Sequence, residues 1–151
     1  MLERFDSAGR LVLIRAQAEA RRFGRRAVGS EHLLLGLLEE PSAASLLFDT
    51  GITIDEVRFT VEQIAQRGVP TLDEGLPFDD EALDVFDAAA EEADGFGHEV
   101  VGGAHLLLGL IKEPFGLGGR VLEAHGAALD GMRHEALELI ACDDEVDVDA
   151  A

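Results

Sequence analysis

Tryptophan and tyrosine are absent from the 151 residues, and eight phenylalanines are the only aromatics. A reader of single-stranded nucleic acid built on stacked rings would rarely look like this. Cysteine occurs once, as Cys142, so no disulfide can form within the chain, and a cytoplasmic setting is the default for such usage. Cys142 also has no His or basic neighbour in sequence to activate it as a nucleophile. Lysine too occurs once. Lys112 stands before Glu113-Pro114, so the chain holds no Gly-x-x-x-x-Gly-Lys-Ser/Thr loop to cradle nucleotide phosphates. No His-x-x-x-His or cysteine pair offers metal ligands, and neither zinc nor any other cofactor is expected. No apolar run nears the ~18 residues of a membrane span, and the N-terminus shows no signal-peptide pattern.

Positive charge is scarce: 12 Lys and Arg face 31 Asp and Glu, a formal net charge of −19. Phosphate backbones and anionic membranes would both be repelled. The charge is also uneven. Arg4, Arg10, Arg15, Arg21, Arg22, Arg25 and Arg26 crowd the first predicted helix and its exit, whereas residues 73–99 hold eleven acids and no Lys or Arg. Two solvated helix faces that attract one another would account for this. So would an acidic surface that meets a basic partner.

What is present is a duplication. Gly29-Ser30-Glu31-His32-Leu33-Leu34-Leu35-Gly36-Leu37 returns 73 residues later as Gly102-Gly103-Ala104-His105-Leu106-Leu107-Leu108-Gly109-Leu110. At the same offset Phe5-Asp6 matches Phe78-Asp79, and Phe23-Gly24 matches Phe96-Gly97. Gly51, Ile54-Asp55 and Arg58 match Gly126, Leu129-Asp130 and Arg133 at an offset of 75, so the second copy has two extra residues after Pro114.

Each copy reads as four helices. Asp6 and Asp79 are placed to cap the first. Its apolar positions Leu11, Ile14 and Ala18 have the spacing of one buried face, and Gly24 or Gly97 suits a left-handed end. The second helix starts with Ser30 as N-cap, is nearly all leucine, and should form the buried centre of its repeat. Pro41 and Pro114 end it, and a third short helix finishes at Gly51 or Gly126. Thr53-Ile54-Asp55-Glu56 is a capping box for the fourth, whose apolar line is Val57, Val61 and Ile64, or Leu129, Met132, Ala136, Leu139 and Ile140. The chain is therefore expected to be all-α, a pseudo-twofold tandem of four-helix motifs over residues 1–66 and 78–142 that form one globular domain. Residues 67–77 read as a linker and residues 143–151 as a frayed acidic tail.

The Gly-Ser-Glu-His-Leu-Leu-Leu-Gly-Leu string, returning within this helix pattern with Gly103-Ala104 in place of Ser-Glu, resembles the repeat of the Clp N-terminal domain, over about residues 1–141. Met1-Leu2-Glu3-Arg4-Phe5 and Leu76-Pro77-Phe78 are similar to the ClpC type in particular. The resemblance implies a docking module that heads AAA+ unfoldases, receives adaptors and arginine-phosphorylated proteins, and is the target of cyclic-peptide antibiotics. The acidic end favours a free-standing relative over a domain excised from a full-length unfoldase.

The resemblance also singles out residues. Glu31, beside Ser30 at the opening of the second helix, matches a glutamate that pairs with the guanidinium of phosphoarginine, while free helix amides could hold the phosphate. An acid in a first turn is equally explained by the helix dipole, so both readings stand. In the second copy Gly103-Ala104 lacks hydroxyl and carboxylate, and at most one such site is expected. His32 and His105 read as buried, hydrogen-bonded histidines that hold the start of a helix. Phe5 and Phe78 read as core of their own repeats, or, with Leu2, as the wall of an apolar groove for peptide antibiotics.

The leading function is thus a non-catalytic docking module of the Clp proteolysis system. Its partners would be Clp substrates, adaptors or unfoldase subunits, with the chain acting as accessory or decoy. The alternative is an acidic protein-interaction domain whose ligand site is vestigial. An enzyme built on Glu31 and His32 is disfavoured, because neighbours on a helix point about 100° apart. A monomer is expected.

Overall fold

The computed structural model describes residues 2–48, 50–64, 68, 75–112, 116–126 and 128–150, with the backbone alone for residues 2 and 142–150. A 3-10 turn at Leu2–Arg4 leads into α1 (Ser7–Arg22), α2 (Ser30–Leu37), α3 (Pro41–Phe48) and α4 (Ile54–Ile64). The second copy repeats them as α5 (Asp80–Gly95), α6 (Gly103–Lys112), α7 (Leu117–Ala124) and α8 (Leu129–Ala150). The fold is all-α, and among the described residues only two isolated β-bridges depart from helix and loop. Most of the expected linker, and Pro114, lie outside the described residues. The helix α8 runs on to Ala150, through the acidic stretch read from sequence as frayed.

Local chemistry sets the helix ends. Asp6 Oδ1 accepts from the Gly9 amide at 2.7 Å, and Asp79 Oδ1 from the Ala82 amide at 2.9 Å. Gly24 and Gly97 follow the two long helices with φ of 67° and 75°, a conformation that a side chain would disfavour. Thr53 Oγ1 accepts from the Glu56 amide. Pro41 opens α3 rather than ending α2, which suits a residue without an N–H to offer. Ser30 is the first helical residue of α2, and its N-cap is Gly29. A glycine offers no capping side chain, so the residue three places on reaches back instead. His32 Nδ1 accepts from the Gly29 amide at 2.9 Å, and His105 Nδ1 from the Gly102 amide at 3.0 Å.

The expected buried face of α1 is corrected. Leu11 and Ile14 are 42% and 61% exposed and Ala18 is exposed, whereas Val12, Leu13, Ala16 and Ala20 are buried. The reason is close approach. A Cβ on Gly36 of α2 would lie 2.6 Å from the Val12 carbonyl, and one on Gly109 of α6 would lie 2.5 Å from the carbonyl of Val85. Backbones this near require glycine on α2 and α6 at the contact, and α1 turns Val12, Ala16 and Ala20 inward, so Leu11 and Ile14 face outward. In α4, Val57 and Val61 are buried but Ile64 is exposed.

The copies are interleaved. Backbone around Phe5 pairs with Val101 of the other copy, through Asp6 N–H to Val101 O at 3.0 Å and Val101 N–H to Arg4 O at 2.7 Å. Reciprocally, Val28 N–H donates to Pro77 O and Asp79 N–H to Val28 O. The helix α3 packs on α6 and α8, and α7 packs on α2 and α4. Phe5 lies against Gly9 of its own copy and also reaches across the boundary: its ring meets Phe86 of α5 edge-on at 5.4 Å, and Phe78 meets the same ring at 4.9 Å. Arg58–Glu19 and its counterpart Arg133–Glu92 tie the last helix of each copy to the first.

Substituting Gly36→Ala or Gly109→Ala should destabilise the fold by about 1–3 kcal/mol despite the better helix propensity, because backbone must move. Gly131→Ala in α8, with open space around it, should be neutral or stabilise by up to ~1 kcal/mol. Urea unfolding of the three variants checks this ordering.

Candidate functional site

Interleaving creates two seams, each where a Leu-rich helix begins against elements of the other copy. At the first seam the start of α2 meets the starts of α5 and α7. Ser30 Oγ accepts from the Gly118 amide at 2.8 Å and donates to Glu81 Oε2 at 3.1 Å. The same Glu81 oxygen accepts from the Leu117 amide. Ser30 and Glu81 therefore hold the opening of α7, and the hydroxyl expected to serve a ligand has an internal task.

Glu31 is 5% exposed, and its carboxylate folds back over Gly29. A Cβ there would lie 2.7 Å from both Glu31 oxygens and 2.9 Å from Asp79 Oδ2. Burial pushes the Glu31 carboxyl above its ordinary range, and the negative charges of Asp79 and Glu81 add to this, with Arg25 opposing. Asp79 is pushed up by burial too, and further by Glu81 and Asp80. Glu31 Oε1 lies 3.4 Å from His32 Nδ1, but this is no ion pair. Burial holds His32 at about 4, and its Nδ1 already accepts from the Gly29 amide. The opposite nitrogen, Nε2, is buried with no hydrogen-bond partner among the described residues. The first seam is thus a cluster of desolvated carboxylates, chemistry suited to receiving a cation.

The second seam is built differently. Ala104 stands where the first has Glu31, and Gly103 where it has Ser30. A side chain at Gly103 would run into the carboxylate of Glu40, which fills that space and caps α3 by accepting from the Ala43 amide at 2.8 Å.

An apolar groove lies on the outer side of α1. Leu13, Ile14 and Phe78 line it with Glu3, Arg10 and Gln17, around a volume of about 460 Å³. The Gln17 amide brackets Leu76, donating to its carbonyl at 2.7 Å and accepting from its N–H at 3.0 Å, which sets Phe78 against α1. Of the residues expected here, Phe78 is in the wall and Phe5 is buried beneath it. The Leu2 side chain lies outside the described residues. Leu13, Gln17, Glu81 and Glu40 were not singled out from sequence, and Ile14 and Asp79 were read there only as a core position and a helix cap. Only the outward apolar stripe of α1 carried a usable signal, and it read as core. Among the described residues no group of three His, Cys, Asp or Glu could hold a metal, and no helix is long and apolar enough to cross a membrane.

Two opposite pH slopes follow from the first seam. Between His32's ordinary 6.5 and its folded value of about 4, the unfolded chain takes up a proton that the fold refuses. Stability should fall there by about 3 kcal/mol as pH falls, and His32→Asn should remove that slope. Glu31 acts in the other sense, its raised value lowering stability as pH rises above 4.5. Glu31→Gln should therefore be more stable than the parent at pH 7. Urea unfolding across pH 4–8 measures both.

The chain matches the Clp repeat (R) N-terminal domain family twice, over residues 4–125 and 77–150. It is 41% identical over 99% of its length to an ATP-dependent Clp protease ATP-binding subunit ClpA homolog of Cyanidium caldarium, of which it covers 18%. It is 39% identical over 97% of its length to the chloroplastic chaperone protein ClpC1 of Arabidopsis thaliana, of which it covers 16%. The chain thus spans under a fifth of the length of these relatives. The crystal structure of the N-terminal domain of the chaperone ClpD from Arabidopsis thaliana superposes with a TM-score of 0.77 at 29% identity, covering 93% of this chain and 99% of that one. The Hsp104 N-terminal domain from Candida albicans shares the fold, with a TM-score of 0.73 at 15% identity over 89% of this chain and 90% of that one. The interleaved helices, the doubled Leu-rich string and these likenesses agree: the chain belongs to the Clp repeat N-terminal domain family.

Proposed function

We propose that the chain is a non-catalytic docking module of a Clp-type proteolytic system, recognising protein partners through the apolar groove on α1 and the carboxylate cluster of the first seam. The observation that carries this reading is the groove. It presents Ile14 and Phe78 outward beside Arg10 and Glu3, an exposed apolar surface with a polar rim on a chain otherwise dominated by acids. Peptides with apolar side chains, cyclic-peptide antibiotics among them, fit its chemistry. In the first seam Glu31, with Asp79 and Glu81 beside it, would receive the guanidinium of phosphoarginine. Ser30 would act there through α7 rather than by direct contact. The cytoplasmic setting rests on cysteine usage alone, since the ClpC1 relative from Arabidopsis thaliana is chloroplastic. A second reading, a regulatory surface for a basic protein, is favoured by the exposed acids Asp80, Asp84 and Asp87 along α5.

Calorimetric titration tests both features. Free phosphoarginine should bind with at most one site per chain, and Glu31→Ala should abolish it. Two equal sites, or an unaffected Glu31→Ala variant, would contradict the assignment. A ClpC-directed cyclic peptide should lose at least tenfold in affinity to Phe78→Ala and to Ile14→Asp, and full affinity in both would remove the groove from the account.

A further inference from the structure

The few cations of the chain are not spent evenly on its many acids. Arg4, Arg15, Arg58, Lys112 and Arg133 each pair with a carboxylate. Arg10, Arg21, Arg22, Arg25, Arg26 and Arg120 form no ion pair among the described residues, although Asp and Glu outnumber Lys and Arg by 31 to 12. All of these except Arg120 lie on α1 or just beyond it. Arg22, Arg25 and Arg26 are exposed and Arg21 is half-buried. The dipole of α1 accounts for Arg21 and Arg22, which sit in its last turn. It does not account for Arg25 and Arg26, which stand past the helix. Arg25 is near enough for Glu31 and His32 to feel its charge, but it is ion-paired with neither.

These arginines continue the apolar groove. Arg10, Ile14 and Gln17 line it from one face of α1, at steps of four and three residues, and Arg21 is the next residue on that line. At about 1.5 Å per residue, Arg21 lies roughly 11 Å along the axis from Ile14. An extended peptide covers that distance with about three residues. A polypeptide that seats one large apolar side chain against Ile14 and Phe78 therefore carries its residues about three places away over Arg21, Arg22 and Arg26. Carboxylates at those places gain the partners that the fold itself does not supply. The net charge of −19 does not forbid this, because charges are screened beyond about 8 Å at physiological ionic strength. A phosphate backbone would use the arginines and leave the apolar groove empty.

We propose that the outer face of α1 takes an acidic segment of a partner protein, with one large apolar side chain in the groove and carboxylates on Arg21, Arg22 and Arg26. The inference rests on the groove being a docking site, as argued above, and adds the charge of what docks there. Fluorescence anisotropy of labelled peptides at physiological ionic strength tests it. The probe has one Phe separated by a Ser-Gly spacer from an Asp-Glu-Asp-Glu block, made in both chain directions, and its control carries Asn-Gln-Asn-Gln instead. In one direction the acidic peptide should bind at least fivefold tighter than its control, and added salt should shrink that advantage. The combined Arg21→Gln, Arg22→Gln and Arg26→Gln variant should abolish the advantage, whereas Arg120→Gln, an exposed arginine elsewhere, should keep it. Phe78→Ala should weaken the acidic peptide as well. Equal binding of both peptides, each still weakened by Phe78→Ala, overturns the inference and leaves the groove standing. Binding that needs the arginines but ignores Phe78→Ala removes the groove, and the joint site with it. The inference is also overturned by an advantage that survives in the triple variant, or by tighter binding of a single-stranded oligonucleotide of equal charge. Tighter peptide binding once Asp143, Asp144 and Glu145 are neutralised overturns it too, since the chain's own acidic end would then be the occupant.

Discussion

The exchange of backbone between the two copies is the constraint on which the rest depends. A helix as apolar as α2 or α6 must be covered on every side, and two short helices and a long one from the same copy do not suffice. Each copy therefore lends its third helix to the other, α3 against α6 and α7 against α2. The bridges at Phe5–Val101 and Phe78–Val28 lock that exchange at the lead-ins to the long helices. Gly36 and Gly109 set how deep the long helices sit, since each touches backbone of α1 or α5. Burial at this density transmits any change of volume directly to its neighbours.

The seams inherit their character from this arrangement. Because α7 belongs to one copy and α2 to the other, its free amides must be met across the boundary, and Ser30 with Glu81 does so. At the opposite boundary Gly103 has no side chain, and Glu40 serves α3 from its own N-terminal side. One substitution pattern, serine and glutamate against glycine and alanine, thus leaves two clefts that share a framework and differ in chemistry. The groove on α1 has a different origin. It exists because the close helix contact takes Val12, Ala16 and Ala20 of α1 and leaves Ile14 facing outward.

Much of this was legible in the sequence, and the limits have physical causes. The repeated Leu-rich string, the capping aspartates and the glycines after α1 and α5 report local backbone requirements, so they could be read without knowing the fold. The histidine after each helix start was likewise legible as a holding group. The buried side of α1 was not, because Leu11, Ile14 and Ala18 have the same helical spacing as the buried Leu13, Ala16 and Ala20. Choosing between them requires knowing that α2 approaches within backbone contact. Phe5 was read as core of its own repeat and packs on the other as well, since periodicity says which residues are buried but not against what. Asp79 was legible as a cap but not as Glu31's neighbour, which depends on the pairing of Val28 with Phe78. The role of Glu40 follows from the missing side chain at Gly103, a contact between copies that no spacing within either one announces.

Residue-resolved amide exchange under native conditions, followed through a urea series, tests the interleaved architecture most directly. The bridging amides of Asp6, Val28, Asp79 and Val101, with those of α2 and α6, should converge on one opening free energy equal to that of global unfolding. If the amides of α1 and α2 opened together at a clearly lower free energy than those of α5 and α6, the copies would be separable units, and the account of the seams would be wrong.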